Sequence, residues 1–345
     1  ASKNVIVTKD TIVQVLNKNS LNNVQWNEAL SQFKEYNIFQ SYEWGELKKS
    51  EGWEPLRIIV SDDDSKKLTL IAQIVIKKVL GVNIAWCPGG PLITTADEGK
   101  TNSALQKFKD IVTEHSLANL RCKTYMEDSD VNNKFFIKFK KPSNTLTSRK
   151  TNIIKVVPGD NFLSQIRKKH RYYIKQAQKN NIDWQVKEND EAGSAFCSVY
   201  KQMQEEKNLK LSIIDIALFA KLFNSSNNNK IVTLAGYKDG ECVAACVVSI
   251  FYRKAFYHYA ASSSRGKDLN ASYGMIFELM NYLNSHDVDI LDFGGLSEDQ
   301  SSEGVDFFKE GFNGEEIKRV GEFDIAKSIL HNYIFNKALN FKKNK

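Results

Sequence analysis

Little in this sequence encourages metal or redox chemistry. Its five cysteines, at 87, 122, 197, 242 and 246, are odd in number and form no C-x-x-C pair, so neither a disulfide framework nor a zinc site is written here. The five histidines are scattered without an H-x-x-x-H pair. A metal-free, cofactor-free protein of a reducing compartment is the expectation. Long apolar runs are missing as well: "CVAACVVSIFY" is far short of the roughly 20 residues that cross a bilayer. "ASKNVIVTKD" lacks the apolar core of a signal peptide, which predicts a soluble, cytoplasmic protein. There is no G-x-S-x-G elbow, no Walker lysine and no G-x-G-x-x-G, so hydrolase, kinase and dinucleotide readings lose their usual support.

What is present is globular. Hydrophobic residues make up 42% and charged residues 26% of 345 residues, enough to bury a core and long enough to predict two domains. The net charge of +7 suits phosphate-bearing partners such as RNA, nucleotide sugars or an anionic membrane face.

Residues 56–93 read as strands, "LRIIV", "LTLIAQIVIKKV" and "NIAWCPGGPLI", separated by the turn clusters "SDDDSKK" and "LGVN". A helix follows, with Leu105, Phe108, Ile111 and Val112 at helical spacing, and then the strand "LRCKTYM". The second half repeats the order. Three strands lie within 230–262, the first two joined at Lys238-Asp239-Gly240, before the helix "ASYGMIFELMNYLNSHD" and the strand "VDILDFGGL". Strand, hairpin, strand, helix, strand therefore occurs twice, which predicts a duplicated α/β unit. The polar segment 140–152, with Pro142, predicts the boundary, giving domains 1–148 and 149–345. The second domain would hold further helical stretches from residues 161, 191 and 214 and a basic amphipathic helix at the chain end.

Four features could carry chemistry. A helix at 164–179 holds Arg167, Lys168, Lys169, Arg171, Lys175 and Lys179 with no acidic residue. Arg167, Arg171 and Lys175 share one face, opposite Ile166, His170, Tyr173, Ile174 and Ala177, so it is either a phosphate track or a solvated face. In "FQSYEWGELKKSEGW", Trp44 and Trp53 bracket Lys48 and Lys49, as a ligand wall with a cationic hook or as core tryptophans beside exposed lysines. "WCPGGPL" and "LDFGGL", the latter with Gly294 and Gly295, end strands where ligands often bind in α/β sheets; either is also readable as a turn. Lys309 stands among Phe307, Phe308 and Phe312, which on spacing alone reads as a surface lysine on a strand with core phenylalanines.

Taken in order, "IFQSYEWGELKKSEGW", "CPGGPL", "IRKKHRYYIKQA", "YHYAASSS…NASYGMIFELMNYL", "LDFGGL" and "FFKEGFNGE" resemble the FemABX family, across nearly the whole chain. The resemblance implies an α/β fold of two tandem acetyltransferase-like domains, each a mixed sheet flanked by helices. No long charged heptad hairpin is present, so the chain is most similar to the short FemX type. It further implies transfer of an amino acid from aminoacyl-tRNA to an amine on the stem peptide of a peptidoglycan precursor, soluble and UDP-linked or lipid-linked. A lipid-linked acceptor would bring peripheral contact with the inner membrane face. By the same resemblance Lys309 and Phe308 are catalytic, with Lys309 steadying charge on oxygen. Lys48 would bind acceptor diphosphate beside Trp44 and Gln40, and Tyr259, Tyr273, Gly294 and Gly295 would line the acceptor channel. Arg167, Arg171 and Lys175, with Lys337, Lys342, Lys343 and Lys345, would meet phosphates of tRNA or precursor.

Two positions depart from the family pattern. An acidic residue expected after "NLR" is replaced by Cys122 and Lys123, which moves any carboxylate base to Glu127 or Asp128. The phosphate-binding arginine expected after "MQEEKN" is replaced by Ser212, with Lys210 the nearest cation. An acyl-CoA N-acyltransferase and a non-catalytic basic RNA-binding protein are the competing readings.

Overall fold

The computed structural model describes residues 4–8, 11–16, 21–62, 64–79, 81–115, 117–207, 213–223, 229–296 and 303–343, and divides the chain into two compact units, 1–149 with 318–345, and 150–317. Lys210, Ser212 and Lys345, with the side chains of Lys342 and Lys343, lie outside the described residues.

The first unit opens with a hairpin that the sequence reading missed, β1 (Asn4–Thr8) and β2 (Thr11–Leu16). Helices α1 (Asn23–Ser31) and α2 (Tyr42–Ser50) follow. Both start on capping side chains, with Asn22 accepting from Gln25 N and Ser41 from Trp44 N. Strands β3 (Glu54–Asp62), β4 (Leu68–Val79), β5 (Val82–Gly89) and the short β6 (Leu92–Ile93) come next, then α3 (Glu98–Glu114), β7 (Asn119–Glu127) and α4 (Asp130–Phe136). Leu105, Phe108, Ile111 and Val112 of α3 are buried, as their spacing predicts, in a core with Ile58, Leu70 and Phe136. After the antiparallel β3–β4–β5 meander, β7 returns parallel to β5, Trp86 opposite Arg121.

The second unit begins with β8 (Lys150–Lys155). The basic stretch expected as one helix is two, α5 (Gly159–Gln165) and α6 (Lys168–Lys179). Ile166 and Arg167 between them are extended, with ψ of 162° and 144°. β9 (Asp183–Lys187), α7 (Asn189–Lys207) and α8 (Ile216–Leu222) lead to β10 (Lys230–Lys238), β11 (Glu241–Phe251) and β12 (Lys254–Ser262). The β10–β11 turn places Asp239 and Gly240 at φ +52° and +80°, a type I′ pair suited to hairpin twist. Then come α9 (Ser264–Asp268), α10 (Ala271–Ser285), β13 (Ile290–Gly295) and α11 (Glu303–Glu310). β13 runs parallel to β12, Ala255 opposite Leu291. The meander, crossover helix and parallel strand thus recur in both units, as the repeated order predicts.

The final elements, β14 (Glu315–Ala326) and α12 (Ile329–Lys343), correct the expected domain ranges. From Arg319 onward β14 pairs antiparallel with β7, Phe323 opposite Cys122, so 318–345 belongs to the first unit. The physical reason is Arg121 of β7. Fully buried, it is bonded by Asp324 Oδ1 at 2.5 Å, Glu322 Oε2 at 3.0 Å and Asn336 Oδ1 at 2.8 Å. All three partners come from β14 and α12. In the second unit the equivalent place beside β13 is taken by β8, Leu291 opposite Ile154.

Candidate active site

At the carboxyl end of β13 the chain turns through Asp292, Gly294 and Gly295. Gly294 has φ +79°, a left-handed conformation open to glycine at no steric cost. Asp292 Oδ1 accepts from Gly294 N at 2.9 Å and from the Thr151 hydroxyl, which also reaches Gly294 O at 3.0 Å. This fixes a strand end whose Gly295 carbonyl faces outward. Lys309 Nζ donates to that carbonyl at 2.9 Å.

Lys309 does not lie on a strand. It sits in the last turn of α11, where a cation is favoured by the helix dipole, and it is half-buried. Desolvation pushes its ammonium below the ordinary lysine value of 10.5, while Asp306 and Asp292 pull the other way. Its backbone carbonyl accepts from Asn152 Nδ2 at 2.9 Å. A desolvated ammonium held at a sheet's carboxyl end can stabilise negative charge on an oxygen far better than a surface lysine in water.

Phe308 packs edge-on to Tyr273 at 5.1 Å and to Phe312 at 5.0 Å. Beneath them lies His170 of α6, fully buried, its Nε2 at 2.9 Å from the Phe308 carbonyl and its ring 5.1 Å from Tyr273. With that carbonyl as partner, Nε2 carries the proton, and burial holds the ring neutral by lowering its pKa. Gly311 is required because a Cβ there would collide with the His170 ring. Sequence reasoning put His170 on the apolar face of a helix and missed this contact; the local signal was "EGF", a glycine between charged and aromatic positions.

The start of α6 is tied to the same place, since Arg167 N donates to Gly311 O at 3.0 Å. Arg167 and Lys175 are exposed, and Arg171 is half-buried with Nη2 on Ile166 O at 3.2 Å. Lys168 and Lys169 crowd the positive end of the helix dipole with no acidic residue in the first turn, an arrangement that an anion would relieve. The second unit thus gathers Lys309, Phe308, Tyr273, Gly294, Gly295 and the start of the basic helix. Tyr259 belongs to another aromatic group, against Phe196 at 6.0 Å.

The remaining sequence-derived residues lie in the first unit. Lys48 Nζ is 4.8 Å above the Trp44 ring and 2.8 Å from Glu51. Trp44 meets Phe39 at 5.0 Å, Phe39 meets Tyr125 at 6.0 Å, and Arg319 covers Tyr125 at 4.4 Å. This row of rings and cations was not legible beyond its first members, because its other end comes from β14, far along the sequence. Gln40 is fully buried, where it donates to Gln73 O and Pro88 O and accepts from Gln73 N, bonds that serve packing of the turn before α2 against β4 and β5. The "CPGGPL" turn is likewise held from behind, by Asn37 Nδ2 on Gly89 O at 2.9 Å. Asp128 makes a poor general base, since Asn133, Lys318 and Arg149 hold its carboxyl below the usual range. Glu127 is exposed.

Both units have an α/β fold, a mixed sheet flanked by helices, like that of FemX and tandem GNAT structures. A FemX crystal structure matches with a TM-score of 0.75 at 17% identity, covering 92% of this chain and 100% of that one. A tandem GNAT protein from the clavulanic acid biosynthesis pathway matches at 0.53 with 8% identity, over 91% and 98%. L-PGS from Bacillus licheniformis matches at 0.50 with 13% identity, over 78% and 86%. At these identities the likeness is one of fold. Residues 236–340 match the model of the FemAB family, which bears out the resemblance read from the motifs. No curated protein sequence matches the chain. Among the described residues no helix is long and apolar enough to cross a membrane, and no group of His, Cys, Asp and Glu is arranged to hold a metal.

Proposed function

We propose that the protein is an aminoacyltransferase that takes an amino acid from aminoacyl-tRNA and joins it to an amine on the stem peptide of a peptidoglycan precursor, UDP-linked or lipid-linked, in the cytoplasm. The amine nitrogen attacks the ester carbonyl and loses a proton. The new C–N bond forms, the ester C–O bond breaks, and the tRNA ribose leaves as its hydroxyl. An ester already activated this way needs alignment and charge stabilisation more than a strong base. The observation that carries the reading is the desolvated Lys309 ammonium on the Gly295 carbonyl, next to Phe308 and Tyr273. Its charge would be exchanged from that carbonyl to the oxyanion as the tetrahedral intermediate forms. Arg167, Arg171 and Lys175 would hold donor phosphates. Lys48 over Trp44 would hold the acceptor diphosphate after parting from Glu51. An acyl-CoA donor is less well served, because the Gly266 N–H that would face a pyrophosphate is bonded to Ser263 Oγ at 3.1 Å.

Purified protein given charged tRNA and a UDP-linked or lipid-linked muropeptide should raise the acceptor mass by one aminoacyl residue. Absence of transfer from every charged tRNA to either acceptor, with transfer from an acyl-CoA instead, would replace this reading.

A further inference from the structure

Helix α12 is built with its polar side inward. Asn332 and Asn336 are buried. Asn332 Nδ2 donates to Asp324 Oδ2 at 2.8 Å and Asn119 Oδ1 at 3.0 Å, and Asn336 Nδ2 donates to Asp324 Oδ2 at 3.2 Å. Arg121 Nη2 closes the network on Asn336 Oδ1. The helix is thereby fixed to the first unit by hydrogen bonds, and its apolar residues face water. Ile329 is 82% exposed, Leu330 64%, Tyr333 61% and Ile334 56%. At about 100° per residue these four and Lys337 form one continuous arc of about 140°. Such a face on a helix that already has a docking side is unusual for a solvent boundary.

The charges around it are of one sign. From Ala326 to the chain end the sequence holds five lysines and no Asp or Glu, and Lys327 and Lys337 are exposed. We propose that the outward face of α12 docks on an anionic lipid bilayer surface, with Ile329, Leu330, Tyr333 and Ile334 entering the headgroup boundary and Lys327 and Lys337 meeting lipid phosphates. Apolar residues flanked by lysines are what such an interface selects. A second copy of the same face would bring lysines against lysines, and an RNA would leave the apolar arc in water. The helix lies parallel to the surface it contacts, because the Asn pair fixes its inner side.

The test uses the full chain and vesicles of phosphatidylcholine, alone or mixed with phosphatidylglycerol. The protein should sediment with the mixed vesicles, and raising salt should weaken it. Ile329→Ser with Ile334→Ser, both on the surface and so neutral to the thermal melt, should lower binding about tenfold or more. Lys327→Gln with Lys337→Gln should do likewise on anionic vesicles only, from roughly fivefold per lysine. No binding to mixed vesicles, or binding indifferent to the Ile→Ser pair, overturns the proposal. So does a dimer in sedimentation that the Ile→Ser pair abolishes while vesicles bind nothing, and so does tRNA binding lost only in the lysine variant. Vesicle binding requires neither donor nor acceptor, so its outcome is separate from that of the transfer assay.

Discussion

Lys309, half-buried, and Arg121, fully buried, show how differently two cations can be used. Lys309 has one carbonyl partner and a depressed pKa, and in the proposed reaction it would exchange that partner for the reacting oxygen. Lys309→Met should keep the fold and cut transfer by about 10²–10³, the usual effect of removing one oxyanion-stabilising donor. The proposed reaction uses its proton, so rate should rise with pH as the acceptor amine deprotonates and fall again below the ordinary lysine value of 10.5. Lys309→Arg should be slower but should lose the alkaline fall, because guanidinium stays charged; an unchanged fall would place the titration elsewhere. Arg121, by contrast, is saturated by Asp324, Glu322, Asn336 and the Asn144 carbonyl. Arg121→Met strands two buried carboxylates, and denaturant unfolding should show a loss of about 3–5 kcal/mol. The sequence showed Lys309 as an oddity among phenylalanines and Arg121 only as the end of "NLR", just before the departure at Cys122 and Lys123. The acidic partners of Arg121 lie 201 and 203 residues away, beyond any local periodicity.

Among the elements, the strongly patterned ones were readable and the weakly patterned ones were not. The apolar runs of β4 and β11 and the 3.6-residue spacing in α3 and α10 announce themselves. β9 with "DWQVK" and β14 with "EEIKRVGEFDIA" are rich in charge and become strands through pairing. The Phe-Phe-Lys run, expected on a strand from its spacing, is the last turn of α11, with Gly311 just beyond it packed against His170. Helix α6 brings a prediction at this scale. Its exposed cations, unopposed by acids, should account for much of the salt dependence of tRNA binding. Arg167→Gln with Lys175→Gln should lower the log–log salt slope by about one to two, near 0.7–0.9 for each phosphate no longer neutralised, and leave the melting temperature nearly unchanged. A slope identical to that of the parent protein would locate the donor on another surface.

At the scale of the molecule, the second unit is inserted into the first. The chain leaves the first unit and re-enters it at neighbouring points, with Arg319 N donating to Arg149 O at 2.9 Å. The repeated element order was legible, but the exchange that gives β14 to β7 and β8 to β13 was not, because strand order across a sheet is not encoded in local pattern. A fragment ending at residue 148 should therefore lack a cooperative unfolding transition. A chain joining 149 directly to 318 through a short linker should regain one, measured by denaturant titration with circular dichroism.

The insertion also sets an order of events on the ribosome. At about 5–20 residues per second, the interval between Arg149 and Asp324 is about 9–35 s. Throughout it the nascent first unit holds an incomplete sheet whose buried arginine has yet to meet its carboxylates. Residues 150–317 can fold in that interval, so the portion encoded later matures sooner, and the open edge of β7 is where the newborn chain is most in need of a chaperone.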